Sequence, residues 1–166
     1  MFTIKRPKTV EQWDLEYKAL LKDLDKIEIP EIPEVDDDGL IEIRTINRKL
    51  LETEKIRREL NRIEMNIEIL NAVMERWHDL NEAKLISNAR QKIDIDGKQV
   101  YPNVTDRKAY ATERNTEFAE RLEATVLLTD AIALERKRLS GVRRTLQSVG
   151  DNVRHLDREA TYGSRY

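Results

Sequence analysis

The feature that most constrains the fold is the run of residues 40–92, which contains neither proline nor glycine. From Ile56 to Trp77 its apolar residues recur at steps of three or four, which places them on one face of a helix. With 5 Gly and 4 Pro among 166 residues, the chain has too few turn residues for a β-sandwich or barrel. We therefore predict an all-α protein in which this run forms one long helix.

A second long helix is predicted from Thr105, its cap, to Asp157, because apolar residues from Phe118 to Val153 recur at steps of seven, with Thr125 in one slot. Asp96-Gly97 between the two helices is a strong signal for a two-residue hairpin turn with positive φ at both positions. The sequence thus predicts a long antiparallel, coiled-coil-like helical hairpin with a small β-hairpin near residues 93–103. The predicted core or oligomer seam consists of Ile63, Ile67, Leu70, Trp77, Phe118, Ile132, Leu139, Leu146 and Val153.

The amino-terminal residues predict an additional amphipathic helix. Thr9 and Gln12 have the spacing of a capping box, and the apolar stripe from Trp13 to Ile27 follows them. Pro30 and Pro33 then disfavour helix and precede an acidic run in which Asp38 is the predicted cap of the next helix. The predicted segments are residues 1–28 (helix), 29–39 (acidic linker), 40–158 (hairpin) and 159–166 (carboxyl-terminal tail).

The acidic linker has two interpretations. A spacer is favoured, and the alternative is an extended ligand that adds to a sheet edge through Ile29, Ile32 and Val35. The run of Asp36 to Gly39 faintly resembles the start of a calcium loop, but too few oxygen ligands follow it. A linker or helix cap is therefore the preferred interpretation.

Basic residues are concentrated in two clusters. Residues 44–62 carry seven basic and three acidic side chains, and residues 136–154 carry six and one. In an antiparallel pair that turns near residue 97, facing residue numbers sum to roughly 195, so the two clusters lie at the same height. Two interpretations stay open: solvated faces with lateral ion pairs, or a phosphate-binding surface. The candidates for nucleic-acid contact in these clusters are Lys55, Arg57, Arg58, Arg136, Lys137, Arg138, Arg143 and Arg144.

No catalytic constellation is visible. The chain has no cysteine, no phosphate-binding glycine loop and no membrane-spanning run, and it begins without the apolar stretch of a signal peptide. His78 and His155 lie on different predicted helices, and neither is paired with carboxylates at a metal-ligand spacing. We expect a soluble intracellular protein that is not an enzyme and has no metal site or cofactor.

The turn region resembles a known family. Residues 93–110 read IDIDGKQVYPNVTDRKAY, and the order of a long helix, a basic strand, an Asp-Gly-Lys turn, a Val-Thr helix start and a second long helix is similar to the UvsY-like recombination mediators of phages. The resemblance covers roughly residues 40–158. Its characteristic positions here are Arg90, Lys92, Gly97, Lys98, Val104, Thr105 and Arg107.

The resemblance implies a homo-oligomer that binds single-stranded DNA and helps a RecA-type recombinase to displace single-strand-binding protein, in the cytoplasm of the host cell if a phage encodes it. It implies a DNA site at the turn, with Arg90, Lys92, Lys98, Arg107 and Lys108 as candidates. The two helical clusters then serve the DNA, the oligomer or a partner, and the sequence leaves this open. The alternative functions are a structural or scaffolding coiled-coil component of a virion or other assembly, and a helical adaptor that uses the Trp13 helix and the linker.

Overall fold

The structure, a computed structural model, describes residues 6–34 and 41–163. Within these residues it contains four helices, α1 (Val10–Asp25), α2 (Ile43–Gln91), α3 (Val104–Arg114) and α4 (Thr116–Gly163), and no strand. The predicted all-α class is therefore confirmed. No helix in these two ranges is both long enough and apolar enough to cross a bilayer.

Helix α1 begins at the predicted cap. The Gln12 backbone N–H donates to Thr9 Oγ1 at 3.3 Å, and the Gln12 side chain accepts from the Lys8 backbone N–H at 2.9 Å. The side chain thus bonds one residue earlier than a capping box requires. The helix ends at Asp25, before the predicted Glu28, and residues 27–34 ahead of and around the two prolines are not helical.

Helix α2 begins three residues later than predicted, at Ile43. Its first turn is joined to the preceding chain because the backbone N–H of Ile46 donates to the Glu42 carbonyl at 3.2 Å. The predicted cap Asp38, the Asp36–Gly39 run and Val35 all lie outside the described residues.

The predicted helix 105–157 is wrong in two respects. Its cap is Asn103, whose side-chain oxygen accepts from the Asp106 backbone N–H at 2.8 Å, and not Thr105. It is also two helices, because the chain breaks at Asn115. There is no proline or glycine at this break, so the residues that usually mark the end of a helix did not predict it.

The break follows from the side chain of Asn115, which is buried on α2. Its Nδ2 donates to the His78 carbonyl at 3.1 Å, and its Oδ1 accepts from Asn81 Nδ2 at 2.7 Å. A buried amide must be hydrogen-bonded, and asparagine side chains compete with helical backbone geometry. Asn115 ends α3 with its own N–H on the Thr112 carbonyl and begins α4 by accepting from the Ala119 N–H.

The predicted β-hairpin is a single antiparallel bridge between Ile93 and Gln99. Gly97 has a φ of 76°, but no non-glycine residue of the described chain has positive φ, so the prediction for Asp96 is wrong. Instead, the side chain of Asp94 accepts from the backbone N–H groups of Asp96 at 3.0 Å and Lys98 at 2.7 Å. Residues 91–100 are all exposed, and an unsupported two-stranded ladder is marginal in water.

The described chain divides into two compact units. Unit 1 contains residues 6–19 and 65–129, and unit 2 contains residues 20–34, 41–64 and 130–163. In unit 1, Trp13 is buried, and its indole N–H donates to the Leu70 carbonyl at 3.0 Å. Tyr17 donates to the Ala124 carbonyl, and Arg121 holds both carboxylate oxygens of Asp14 at 2.9 and 3.0 Å. The first part of α1 is thus docked on both long helices of this unit.

Unit 2 has its own apolar core. Ile46 and Leu146 are buried in one cluster, and Val142, Val149 and Val153 pack against it. A Cβ on Gly150 would lie 3.3 Å from Ile46 Cγ2, so this glycine permits a close approach of α4 to α2. Gly141 has no such neighbour within 4 Å.

Contacts between α2 and α4 run in opposite chain directions inside each unit. In unit 1, Asn81 bonds Asn115 and Asn71 bonds Thr125. In unit 2, Glu64 pairs with Arg136, Glu54 with Arg143, and Ile46 faces Gly150. From one contact to the next within a unit, residue numbers rise along α4 and fall along α2.

The predicted seam residues are distributed between the cores of the two units. Trp77, Phe118 and Val153 are half-buried. The fully buried members are Ile63, Ile67, Leu70, Ile132, Leu139 and Leu146. Because these six are covered within a single chain, they pack its core.

Candidate nucleic-acid interface

The first group of candidate residues surrounds the exposed turn of unit 1. Residues 84–114 carry seven basic and four acidic side chains. We define the turn surface as the exposed cations of residues 90–114, which are Arg90, Lys92, Lys98, Lys108 and Arg114, together with the rings of Tyr101 and Tyr110. Exposed Ile93, Ile95, Val100 and Val104 lie in the same segment.

Two cations of the turn surface are positioned by an aromatic ring. Lys92 Nζ lies 4.8 Å, and Arg114 Cζ 4.5 Å, from the centroid of the Tyr110 ring. Tyr110 is 8% exposed, and the Tyr101 ring lies 4.8 Å from it at an angle of 47°. Sequence reasoning missed Arg114, because its position four residues after Tyr110 on α3 has meaning only once the turn brings Lys92 to the same ring.

Arg107 has a different role from the other turn cations. Its Nε donates to the Tyr101 carbonyl at 2.9 Å, and its Nη2 donates to the Pro102 carbonyl at 2.6 Å. These bonds tie the start of α3 to the loop before it. The guanidinium is thereby committed to the backbone of the turn.

The exposed turn cations are free of acidic partners. None of Arg90, Lys92, Lys98, Lys108 and Arg114 forms an ion pair with a carboxylate of the residues that the structure describes. Asp94, four residues before Lys98, is occupied with two backbone N–H groups of the turn. These five cations therefore have no direct ion-pair partner among the described carboxylates.

The second group of candidates, in unit 2, is largely ion-paired. Arg57 donates to Glu54 at 2.8 Å, and Arg58 lies 3.5 Å from the same carboxylate. Arg138 donates to Glu135 at 2.7 Å. Each of these pairs joins residues three or four apart on one helix, the spacing that favours lateral ion pairs.

Two further arginines of unit 2 reach across from α4 to α2. Arg136 Nη1 donates to Glu64 at 2.8 Å, its Nη2 donates to the Asn61 side-chain oxygen, and Arg143 lies 3.9 Å from Glu54. Lys55, Lys137 and Arg144 are exposed, and no ion pair joins them to a described carboxylate.

Glu54 is the centre of this arginine cluster. The hydrogen bond from Arg57, followed by the charges of Arg57, Arg58 and Arg143, holds the pKa of Glu54 below its usual value of 4.5. The carboxylate therefore stays ionised at neutral pH. One negative charge nevertheless serves three guanidinium groups.

An ion pair in unit 1 has a structural role. The hydrogen bond from Arg121 lowers the pKa of Asp14 below 3.8, and the same bond raises the pKa of Arg121. This pair joins α1 to α4 and belongs to neither basic group. Its role is to dock the amino-terminal helix.

One cluster contradicts the expectation for the histidines. Ligand atoms of His78, Asp79 and Glu82 lie within 4.8 Å of one another on a single turn of α2. His78 is thus beside carboxylates at a separation that suits a metal ion, which the sequence analysis had excluded. Three ligands on one exposed helical turn fall short of the four that enclose a structural zinc ion.

Comparison with known proteins finds no match, whether by family model, among curated proteins or among solved structures. The assignment of function therefore depends on the geometry of these surfaces and on the resemblance of the turn region.

Proposed function

We propose that this protein binds single-stranded DNA through the turn surface and acts without catalysis. The observation that carries the proposal is the group of five exposed cations at and beside the turn, none of which is ion-paired with a described carboxylate and two of which, Lys92 and Arg114, lie over the Tyr110 ring. Phosphate groups suit such a surface because lysine and arginine side chains displace the counterions condensed on a nucleic acid when they bind it.

The aromatic pair favours a single strand over a duplex. Single-strand-binding surfaces combine a cationic track with rings on which bases stack. Tyr101 is half-buried, so part of its ring is accessible beside the Tyr110 ring that Lys92 contacts. Recognition of this kind is nearly independent of base sequence, since every base has a face that stacks.

The wider role that we propose is that of a recombination mediator, on the strength of the UvsY-like turn region. In this role the chain forms the long antiparallel helical hairpin predicted from its sequence, and the hairpins assemble into a homo-oligomer. A few phosphate contacts per subunit are multiplied by assembly into useful avidity. A RecA-type recombinase and single-strand-binding protein are the proposed partners, in the cytoplasm.

Fluorescence anisotropy with a labelled oligonucleotide at about 50 and about 200 mM salt tests the proposal. We expect clear binding at the lower salt and much weaker binding at the higher. Lys98→Gln combined with Lys108→Gln should weaken binding by tenfold or more, at about 1 kcal/mol per lost contact. The matched control Lys22→Gln removes an exposed lysine of α1 and should bind as the wild type does. Absence of binding at the lower salt would refute the proposal.

A structural role in an assembly is the second candidate. It is favoured by a groove of about 940 Å³ in unit 2, in which Ile27, Ile29 and Ile56 lie beside Leu134, a residue 59% exposed. If this role is correct, sedimentation should show large assemblies whether or not DNA is present, and Leu134→Asp should dissolve them. Assemblies that form solely with DNA favour the first function.

A further inference from the structure

Unit 2 contains a pocket in which five of the six lining residues carry a side-chain hydrogen-bond donor. It has a volume of about 320 Å³ and is lined by Arg57, Asn61, Arg136, Leu139, Ser140 and Arg143. The α4 members recur at steps of three, one and three, so they share one face of that helix, and the two α2 members are four apart on the facing helix. We propose that this pocket binds a phosphate group, as a site separate from the turn surface.

Two arginines of the pocket are held in place by hydrogen bonds to neighbouring side chains. Arg57 is anchored by Glu54, and Arg136 is anchored by Glu64 and by the side-chain oxygen of Asn61. Since the Asn61 oxygen accepts from Arg136, its amide N–H groups are left to face other acceptors. None of the described lining residues is acidic, so the carboxylates orient the guanidinium groups without occupying the pocket.

The charge around the pocket is only partly balanced. Glu54 is shared by Arg57, Arg58 and Arg143, and Arg143 stays 3.9 Å from it, beyond hydrogen-bond distance. A guanidinium group has five N–H donors, so most donors of the lining arginines are uncommitted. An oxyanion in the pocket would take up those donors and the excess positive charge.

The chemistry suits a multiply charged oxyanion such as phosphate. Three guanidinium groups from two helices, one amide and one hydroxyl surround the space, which suits a group with several oxygens that carries more than one negative charge. Leu139 is the one apolar lining residue, and no aromatic ring is present to hold a base. The pocket therefore recognises the phosphate and not the group attached to it, whether the phosphate belongs to a DNA backbone or to a free phosphorylated compound.

Pyrophosphate titrated into the full chain, followed by amide NMR shifts of Asn61 and Ser140, tests the inference. We expect saturable shifts in the wild type and at least a tenfold loss of affinity in the Arg57→Gln/Arg143→Gln double variant. These two side chains are 53% and 44% exposed, so the fold should tolerate the change. The control is Arg138→Gln, an exposed arginine of α4 outside the pocket, which should leave the affinity unchanged. No saturable binding, or equal binding by the double variant, would overturn the inference.

Two further arms identify the source of the phosphate and separate the two sites. An unlabelled oligonucleotide that displaces pyrophosphate assigns the site to nucleic-acid backbone, and one that leaves it bound assigns it to a free phosphorylated compound; both support a phosphate pocket. The Lys98→Gln/Lys108→Gln variant should retain the pyrophosphate affinity of the wild type even where oligonucleotide binding fails. If this variant loses pyrophosphate as well, the pocket is not a separate site.

Discussion

The turn surface and the arginine cluster of unit 2 carry similar numbers of cations in very different surroundings. In unit 2, Arg57 and Arg138 each bond a glutamate three residues away, and Arg136 reaches a glutamate of the neighbouring helix. On the turn surface, Lys98 and Lys108 have no ion-pair partner among the described residues. The difference lies in the glutamates that α2 and α4 place within reach of these arginines, since no described carboxylate pairs with Lys98 in the turn or Lys108 on α3. The net charge of a segment therefore says little about the charge that a ligand meets.

The largest expected effect comes from separating α2 and α4 in unit 2, since the cross-helix pairs exist only while these helices pack. Ile132→Asp places a charge at a fully buried position and should lower the free energy of unfolding by about 3–5 kcal/mol. Urea unfolding followed by circular dichroism measures this change. Leu134→Asp, on the same helix but exposed, should shift the free energy by less than about 0.5 kcal/mol. Equal stability of Ile132→Asp and wild type would mean that the core is misplaced.

A smaller effect is expected when the arginines of unit 2 lose a carboxylate partner and so resemble the unpaired cations of the turn surface. Glu54→Gln removes the carboxylate shared by three arginines and should raise the affinity for pyrophosphate about fivefold, the factor that corresponds to removing one nearby like charge in water. Glu52→Gln, which frees Lys49 on the same helix but does not line the arginine pocket, is the matched control. An unchanged affinity in Glu54→Gln would show that the pairing does not limit the charge of the cluster.

The smallest effect is the loss of stability in acid. It is expected where a carboxylate is ion-paired, and not where cations have no carboxylate partner. Arg121 lowers the folded-state pKa of Asp14 below 3.8, so their pairing contributes its full stability above that pH and loses it as the pH falls through the lowered value. After solvent screening the contribution is at most about 1 kcal/mol. Urea midpoints of wild type and Asp14→Asn should therefore converge as the pH falls from about 5 to about 2. A gap that stays constant over this range would contradict the pairing.

Sequence periodicity accounted for the helices more fully than for their ends. The apolar steps of three and four predicted α2 and the buried positions from Ile63 to Leu70, because core packing imposes that spacing directly. The break at Asn115 was missed because its cause is a bond to His78 and Asn81 on another helix, which no local pattern encodes.

The candidate site shows the same limit. The cations at Lys92 and Lys98 were recognised from the turn motif, but Arg114 was missed because its contact with Tyr110 depends on how the turn folds back. The basic clusters of unit 2 were visible in the sequence, and their partial pairing with Glu54, Glu64 and Glu135 became visible only with side-chain contacts.

The salt dependence of oligonucleotide binding tests most directly the claim that the unpaired cations of the turn surface, and not the ion-paired Arg58 and Arg138 of unit 2, meet DNA. For a single strand each phosphate contact contributes about 0.7 to the slope of log affinity against log salt. The Lys92→Gln/Lys98→Gln/Lys108→Gln variant should therefore lose about 2 from the wild-type slope, and Arg58→Gln/Arg138→Gln should leave it unchanged. A slope that falls in the arginine variant and persists in the lysine variant would contradict the account.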